Sequence, residues 1–199
     1  MTQKVIFADI DTQFDFMKRK GNLYVSGAEK IIPRLKKLTR YAHTKNIPIF
    51  ASVDAHAQRD PEFQQFPGHC VSGSRGQKKI KETLLRKRFI VKRKKYSKRF
   101  LKQILHRYPQ IIIEKNTFTV FSNPNTASLF RLADTVYVYG VATDYCVKAC
   151  CEGLLKLKRE VYLITDAIAA VSTRQGQSVL RQLKARGVKL MTTKRACSV

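Results

Sequence analysis

Three side chains that could form a nucleophilic site follow three different predicted strands: Asp11, Lys115 and Cys146. A carboxylate can take the proton of a thiol, and a nearby ammonium group favours the thiolate. The start of a helix at Cys146 would favour the thiolate further. Taken singly, each residue is more often structural, because a lone cysteine is usually a buried apolar side chain and an aspartate after a strand is usually a cap or turn residue. The presence of all three at the ends of predicted strands indicates a catalytic site.

The elements that must position these residues alternate between apolar strands and amphipathic helices. Strands are predicted at 4–10, 47–53, 110–114, 135–140, 160–165 and 188–191. Helices are predicted to begin near residues 26, 97, 143 and 173, and Pro33 should kink or delay the first of them. Continuous apolar runs are typical of strands covered on both faces. The pattern predicts a three-layer α/β/α sandwich around a parallel sheet, in which ligands bind beyond the carboxyl ends of the strands.

Length and composition restrict the class of protein. The 199 residues are 44% hydrophobic and 27% charged, which excludes a disordered chain and a small disulfide scaffold. No run of about 18 apolar residues is present, and the N-terminal residues lack the layout of a signal peptide. Five cysteines without framework spacing indicate reduced thiols. We expect one globular domain over residues 1–199, located in the cytoplasm, with no membrane association.

The charge of the chain is strongly positive. Lysines and arginines number 39 against 14 acids, which gives a formal net charge of +25. Fourteen of the cations lie between residues 78 and 107, together with a single acid, Glu82. Such a stretch could neutralise the phosphates of a nucleic acid, and Phe89, Tyr96 and Phe100 could stack on its bases. The rest of the chain is also basic, so a general basic bias competes with a dedicated polyanion-binding surface.

Four segments resemble, in order and spacing, the isochorismatase-like superfamily of cysteine hydrolases, in particular its nicotinamidase-related amidases. The segments are Asp11-Thr12-Gln13-Phe14-Asp15-Phe16, then Phe66-Pro67-Gly68-His69-Cys70-Val71-Ser72-Gly73, then Glu114-Lys115 followed by Thr117-Phe118, and finally Gly140-Val141-Ala142-Thr143-Asp144-Tyr145-Cys146-Val147. One segment alone would be weak support, whereas the ordered set is specific. The resemblance extends over about residues 4–170.

This resemblance implies a fold and a set of catalytic roles. The fold is a six-stranded parallel sheet of order 3-2-1-4-5-6, which places the first and fourth strands side by side. Asp11 is implied to be the general base, Cys146 the nucleophile, and Lys115 the cation that supports the thiolate and the intermediate. A cis peptide between Val141 and Ala142 is also implied, with the N–H groups of Ala142 and Cys146 as the oxyanion hole.

The resemblance also implies a site for a divalent metal ion. Asp54, His56 and His69 match the ligands of the family, and Glu62 stands where the family has a further histidine. Oxygen and imidazole ligands suit Zn, Mn or Fe. The alternative is that His56 and His69 are ordinary loop residues.

The expected function is a cysteine-dependent amidohydrolase that releases ammonia from a small carboxamide through a thioester, with nicotinamide as the leading substrate. The residues implied to contact the substrate are Phe16, Phe66, Val141 and Tyr145. The family often has a tryptophan at the place of Phe66, and this chain contains none. One alternative is hydrolysis of a carbamoyl or ureido amide on the same fold, and another is a nucleic-acid or polyanion binder. We also expect a homo-oligomer.

Overall fold

Seven parallel strands form one sheet in the computed structural model, which describes residues 4–198. The strands are β1 (Val5–Ile10), β2 (Ile49–Asp54), β3 (Arg88–Val91), β4 (Gln110–Lys115), β5 (Thr135–Val141), β6 (Glu160–Ala169) and β7 (Lys189–Met191). Their order across the sheet is β3-β4-β2-β1-β5-β6-β7. Because all pairs are parallel, the carboxyl ends of the strands share one edge of the sheet.

The expected count of six strands is wrong, because the sequence does not reveal β3. This strand lies inside the basic stretch, and its three apolar residues are too few to stand out from the surrounding lysines and arginines. It pairs with β4 from Arg88 opposite Gln110 to Val91 opposite Ile113, and it forms one edge of the sheet. Without β3, the observed order is β4-β2-β1-β5-β6-β7. This confirms the predicted order 3-2-1-4-5-6 for the other six strands.

Helices cover both faces of the sheet and confirm the three-layer architecture. They are α1 (Phe14–Met17), α2 (Ile32–Thr44), α3 (Lys98–Arg107), α4 (Thr126–Phe130), α5 (Lys148–Lys156), α6 (Thr173–Ala185) and α7 (Thr193–Ala196). Side chains of α3 to α6 pack with Ile6 and Phe50 on one face, and those of α1, α2 and α7 pack with Phe7 and Ile49 on the other. Within residues 4–198, no helix combines the length and apolar character needed to cross a bilayer.

Two buried side chains fasten the loop after β1 to neighbouring segments. Gln13 exchanges hydrogen bonds with the backbone of Asp54, accepting its N–H at 2.7 Å and donating to its carbonyl at 2.9 Å. Lys79 places its ammonium group 2.9 Å from Oδ2 of Asp9 and donates to Oγ1 of Thr12 at 2.7 Å. These contacts hold the ends of β1 and β2 in one fixed relation.

Asp15 joins two further loops to α1. Its buried carboxylate accepts the N–H of Cys70 at 2.8 Å and the N–H of Asn22 at 3.1 Å. Gly21 and Gly76 pass so close to Asp15 that a Cβ at either position would lie within 2.3 Å of its atoms. One carboxylate therefore sets the positions of the loops on both sides of α1.

We expect the substitution Gly76→Ala to destabilise the fold, because the new Cβ would lie 1.9 Å from Oδ2 of Asp15. Overpacking of a filled site typically costs about 1–3 kcal/mol in the free energy of unfolding, which urea denaturation measures. The matched control is Gly68→Ala, whose Cβ would meet Phe63 at an ordinary 3.8 Å and should be close to neutral. Equal stability of the two variants would contradict this account of Asp15.

Candidate active site

Lys115 lies fully buried at the end of β4, with acceptors from three other strand ends around its ammonium group. Its Nζ is 2.9 Å from Oδ2 of Asp11 and 2.5 Å from Oδ1 of Asp54. Nζ also donates to Sγ of Cys146, at 3.6 Å. The structure thus brings together the three residues that follow separate strands in the sequence. It adds Asp54 to them as a second anionic partner of Lys115.

Burial dominates the electrostatics of the thiol. It raises the pKa of Cys146 well above the usual value, Lys115 opposes this only in part, and Asp11 and Asp54 add to the increase. The thiol is therefore protonated at neutral pH. The ammonium group favours the thiolate as expected, but burial and the two carboxylates outweigh its effect.

The two carboxylates keep Lys115 charged. Burial by itself would lower the pKa of Lys115, but Asp11 and Asp54 outweigh it and hold the pKa well above its usual value. For Asp54, burial raises the pKa to about 6, although Lys115 acts in the opposite direction. The ammonium group is thus a permanent charge, whereas Asp54 takes up a proton when the pH falls below neutrality.

Gly140 allows β5, the strand that precedes the Cys146 turn, to pass close to β1. Its φ angle is 117°, in the region that favours glycine, and a Cβ there would lie 2.1 Å from the carbonyl oxygen of Ile10. No other residue type fits without moving one of the two strands. The separation of the Asp11 loop from the Cys146 turn is therefore fixed by a glycine.

The turn after β5 places Ala142 and Cys146 together. The peptide bond between Val141 and Ala142 is cis, as the resemblance implies. The carbonyl of Ala142 accepts two N–H groups from the following π-helical turn, Thr143–Val147, each at 3.1 Å. Ala142 and Cys146 both line the same cavity, next to the thiol.

A group of metal-ligand side chains lies next to the thiol. Asp54, His56 and His69 are buried and offer donor atoms within 4.8 Å of one another. Nε2 of His56 has no hydrogen-bond partner among residues 4–198, and it lies 3.9 Å from Oδ1 of Asp54. Burial lowers the pKa of His69, so this imidazole is neutral, as ligation requires. An orphaned buried nitrogen facing a carboxylate fits a divalent ion held between them.

Two further carboxylates border the imidazoles. Oε1 of Glu62 lies 3.8 Å from Nε2 of His69, which places Glu62 within reach of the same ion. Oδ2 of Asp60 lies 3.1 Å from Nδ1 of His56, a contact that the sequence does not reveal. Nδ1, like Nε2, makes no hydrogen bond within residues 4–198, so the carboxylate of Asp60 favours this orientation of the ring through its charge.

A cavity of about 160 Å³ borders the thiol and is mostly apolar. Its lining comprises Phe16, Leu23, Val25, Asp54, Glu62, Phe66, His69, Phe118, Val141, Ala142, Tyr145, Cys146 and Val171. All four residues that the resemblance assigns to the substrate are among them. The rings of Phe66, Phe118 and Tyr145 contact one another with centroids 5.4–6.0 Å apart. No lysine or arginine is among these described lining residues.

Four lining residues are not anticipated as substrate contacts: Leu23, Val25, Phe118 and Val171. Phe118 lies three residues after Lys115, in a segment that resembles the family, so the sequence does contain a signal that could identify it as a cavity residue. Val171 carries no sequence signal, since it is 56% exposed after the end of β6. Asp144 holds it in place by accepting the N–H groups of Val171 at 3.0 Å and Ser172 at 2.9 Å.

A larger groove of about 660 Å³ lies at the opposite edge of the sheet, between the amino ends of the strands and α3. Lys4, Asn46 and Lys102 are among its lining residues, and it contains none of the candidate catalytic or metal-ligating side chains. Chemistry rather than size therefore identifies the candidate active site.

The chain matches the family model of the isochorismatase domain over residues 6–108 and 91–195, and no curated protein sequence matches it. A pyrazinamidase of Pyrococcus horikoshii in complex with zinc is 26% identical, with a TM-score of 0.80 over 95% of this chain and 99% of that one. A pyrazinamidase/nicotinamidase of Streptococcus mutans is 23% identical, with a TM-score of 0.76 over 94% and 99%. An N-carbamoylsarcosine amidase of Thermoplasma acidophilum is 20% identical, with a TM-score of 0.74 over 96% and 97%. Because the family match spans nearly the whole described chain, this protein belongs to the isochorismatase family and is a hydrolase.

Proposed function

We propose that the protein is a cysteine-dependent amidase that releases ammonia from a small, neutral, aromatic carboxamide. The observation that carries this proposal is the contact of one buried ammonium group, that of Lys115, with Asp11, Asp54 and the thiol of Cys146. A purely structural role does not require a thiol, a base and a cation to meet at the edge of an apolar cavity.

The first step is attack by Sγ of Cys146 on the carbonyl carbon of the amide. Since the pKa of the thiol is raised, the attacking group starts as a thiol and must lose its proton during the attack. Asp11 is the acceptor, because a carboxylate oxygen of Asp11 and Sγ of Cys146 lie within 4.8 Å of each other. Lys115 stabilises the carboxylate before the transfer and the negative charge that develops afterwards.

The tetrahedral intermediate then collapses to products. The N–H groups of Ala142 and Cys146 stabilise its oxyanion, and Asp11 returns the proton to the nitrogen, so that ammonia leaves and a thioester forms on Cys146. Water attacks the thioester with Asp11 as the base. The carboxylic acid leaves and the thiol regains its proton.

The cavity favours a neutral ring as the substrate. About 150 Å³ is sufficient to hold a benzene in a protein interior, and this cavity has about 160 Å³. Phe66, Phe118 and Tyr145 offer ring faces and edges to an aromatic amide. A substrate carboxylate, as in carbamoyl amino acids, would meet no lysine or arginine in the described lining, so only a bound metal ion could offset the cost of its burial. Nicotinamide and related pyridine or pyrazine amides therefore fit better than carbamoyl substrates.

A divalent ion fits Asp54, His56, His69 and Glu62, and zinc, manganese and iron all accept such oxygen and imidazole ligands. When bound, it would supply a Lewis acid that holds a ring nitrogen of the substrate. The aromatic side chains hold the ring and so orient the carboxamide. Asp54 belongs to the ligand group and also contacts Lys115, so its carboxylate fixes the distance between the metal ligands and Lys115.

We expect nicotinamide or pyrazinamide to be hydrolysed in an assay of ammonia release over a panel of small amides. N-carbamoyl amino acids and aliphatic amides should have kcat/KM values lower by at least about 100-fold, since they cannot use the ring contacts to orient the carbonyl carbon. Faster hydrolysis of an N-carbamoyl amino acid would contradict the proposed substrate class and favour a carbamoyl hydrolase.

The same panel tests the residues. Cys146→Ala and Asp11→Asn should each abolish turnover, and their effects should not add in the double variant, because the two groups act as one unit. Cys197→Ala is the matched control, since Cys197 lies outside the cavity and should be dispensable. Wild-type activity in Cys146→Ala would eliminate the cysteine mechanism.

We expect about one divalent ion per chain in protein purified without chelator, and an affinity that depends on pH. The raised pKa of Asp54, about 6 in the metal-free protein, means that protons compete with the ion as the pH falls below about 6. A titration with cobalt, read from its absorption spectrum, should show weaker binding there. Asp54→Asn should weaken binding by at least about 100-fold at pH 7, and Glu152→Gln, on the surface, should not. Full amidase activity in the metal-free protein would show that the reaction does not require the ion.

A further inference from the structure

One strongly charged surface has no part in the proposed amidase reaction. It is formed by residues 86–107, which comprise β3, α3 and their connection, and we name it the β3–α3 surface. Eleven lysines and arginines lie in this segment and all are exposed. No acid occurs between Glu82 and Glu114, and Lys92 with Glu114, at 2.6 Å, is the only ion pair that the described residues form with this surface.

The two elements form one continuous surface. The ring of Phe89 in β3 contacts Phe100 in α3 at 5.6 Å and Tyr108, just after α3, at 5.5 Å. These contacts hold α3 beside the edge strand, so the cations of both elements are displayed together. The basic stretch of the sequence is therefore a single surface in the fold.

The placement of charge opposes the stability of the fold. The first turn of α3 holds Lys98 and Arg99 and no acid, although the helix dipole favours acids there. Ser97 caps the helix by accepting the N–H of Phe100, so local structure does not require these cations. Accumulated like charges also repel one another, so the distribution is explained better by an anionic partner than by folding.

The aromatic rings do not serve as stacking platforms, which corrects the expectation for Phe89, Tyr96 and Phe100. All three are partly buried against the core. Tyr96 stacks on Phe100 at 5.2 Å and an angle of 13°, and Lys94 lies over the ring of Tyr96. The ring faces are thus used within the protein, and the surface offers cationic groups rather than base-stacking planes.

We propose that the β3–α3 surface binds nucleic acid through its phosphates, without sequence preference. Guanidinium and ammonium groups match phosphodiester oxygens, and the eleven exposed cations outnumber the other exposed polar side chains of the segment, which are Ser97, Gln103 and His106. A membrane is the less suitable polyanion, because binding to an interface needs apolar side chains that insert, and Ile90, which is 43% exposed, is the only exposed large hydrophobic residue of this surface.

The test is fluorescence anisotropy with labelled 24-residue single-stranded RNA, single-stranded DNA and duplex DNA, over a range of salt concentrations. Vesicles that contain phosphatidylserine form a parallel arm. The variant Arg86→Gln/Lys95→Gln/Arg99→Gln/Lys102→Gln removes four cations from the surface. The matched control, Lys156→Gln/Arg174→Gln/Arg181→Gln/Lys184→Gln, removes two lysines and two arginines that are exposed elsewhere.

We expect the wild-type protein to bind all three nucleic acids with a slope of log affinity against log salt steeper than about −3. The surface variant should bind at least about tenfold more weakly, with a slope shallower by about 2–4, whereas the control should stay within about threefold of wild type. The thermal midpoint and the amidase activity of the surface variant should be unchanged or higher than those of the wild type.

Three results would overturn the proposal. Equal losses of affinity in the two variants would mean that net charge alone binds the polyanion. Tighter binding to the vesicles than to every nucleic acid would identify a membrane surface instead. Absence of binding at about 100 mM salt would show that the surface has no nucleic-acid partner.

Discussion

The structure depends on a single buried positive charge, the ammonium group of Lys115. A charge with no exposed surface is tolerated only if opposite charges and hydrogen-bond acceptors surround it. Asp11 and Asp54 meet this need, and they do so because β1, β2 and β4 are neighbours whose parallel register brings their carboxyl ends to one place. Removal of one partner from a buried ion pair typically lowers the free energy of unfolding by about 3–5 kcal/mol. The ion pairs of Lys115 therefore help to fix the relative positions of the strands.

Asp54 links two parts of the site. Through Oδ1 it contacts Lys115, and through its membership of the ligand group with His56 and His69 it belongs to the candidate metal centre. A change in the charge or position of Asp54 therefore alters the environment of the Lys115 ammonium group, which contacts both Cys146 and Asp11. Gln13 and Asp15 maintain the relation from outside, since Gln13 fixes the backbone of Asp54 and Asp15 fixes the loop after His69.

The sequence predicts those parts of the fold that depend on long apolar runs, and the chemistry that depends on motif order. It fails at β3, where the four residues of a largely exposed edge strand are embedded in lysines and arginines, and only the pairing with β4 distinguishes them. The sequence also indicates the effect of Lys115 on Cys146 but not the larger opposing effect of burial, because burial and the distance to two carboxylates are tertiary properties. Contacts such as that of Asp60 with His56, or the position of Val171 at the cavity, carry no signal that a single sequence displays.

The most direct test of the central claim is the rate at which iodoacetamide alkylates Cys146, measured by peptide mass spectrometry across pH in the wild type and in Lys115→Met. The account predicts that the wild-type rate still rises at pH values above the ordinary thiol pKa of about 8.5, because the resting thiol is protonated. The Lys115→Met variant should react more slowly at each pH, since two carboxylates then act on the thiol without an opposing charge. A wild-type rate that levels off below pH about 7, or equal rates in the two proteins, would contradict the account.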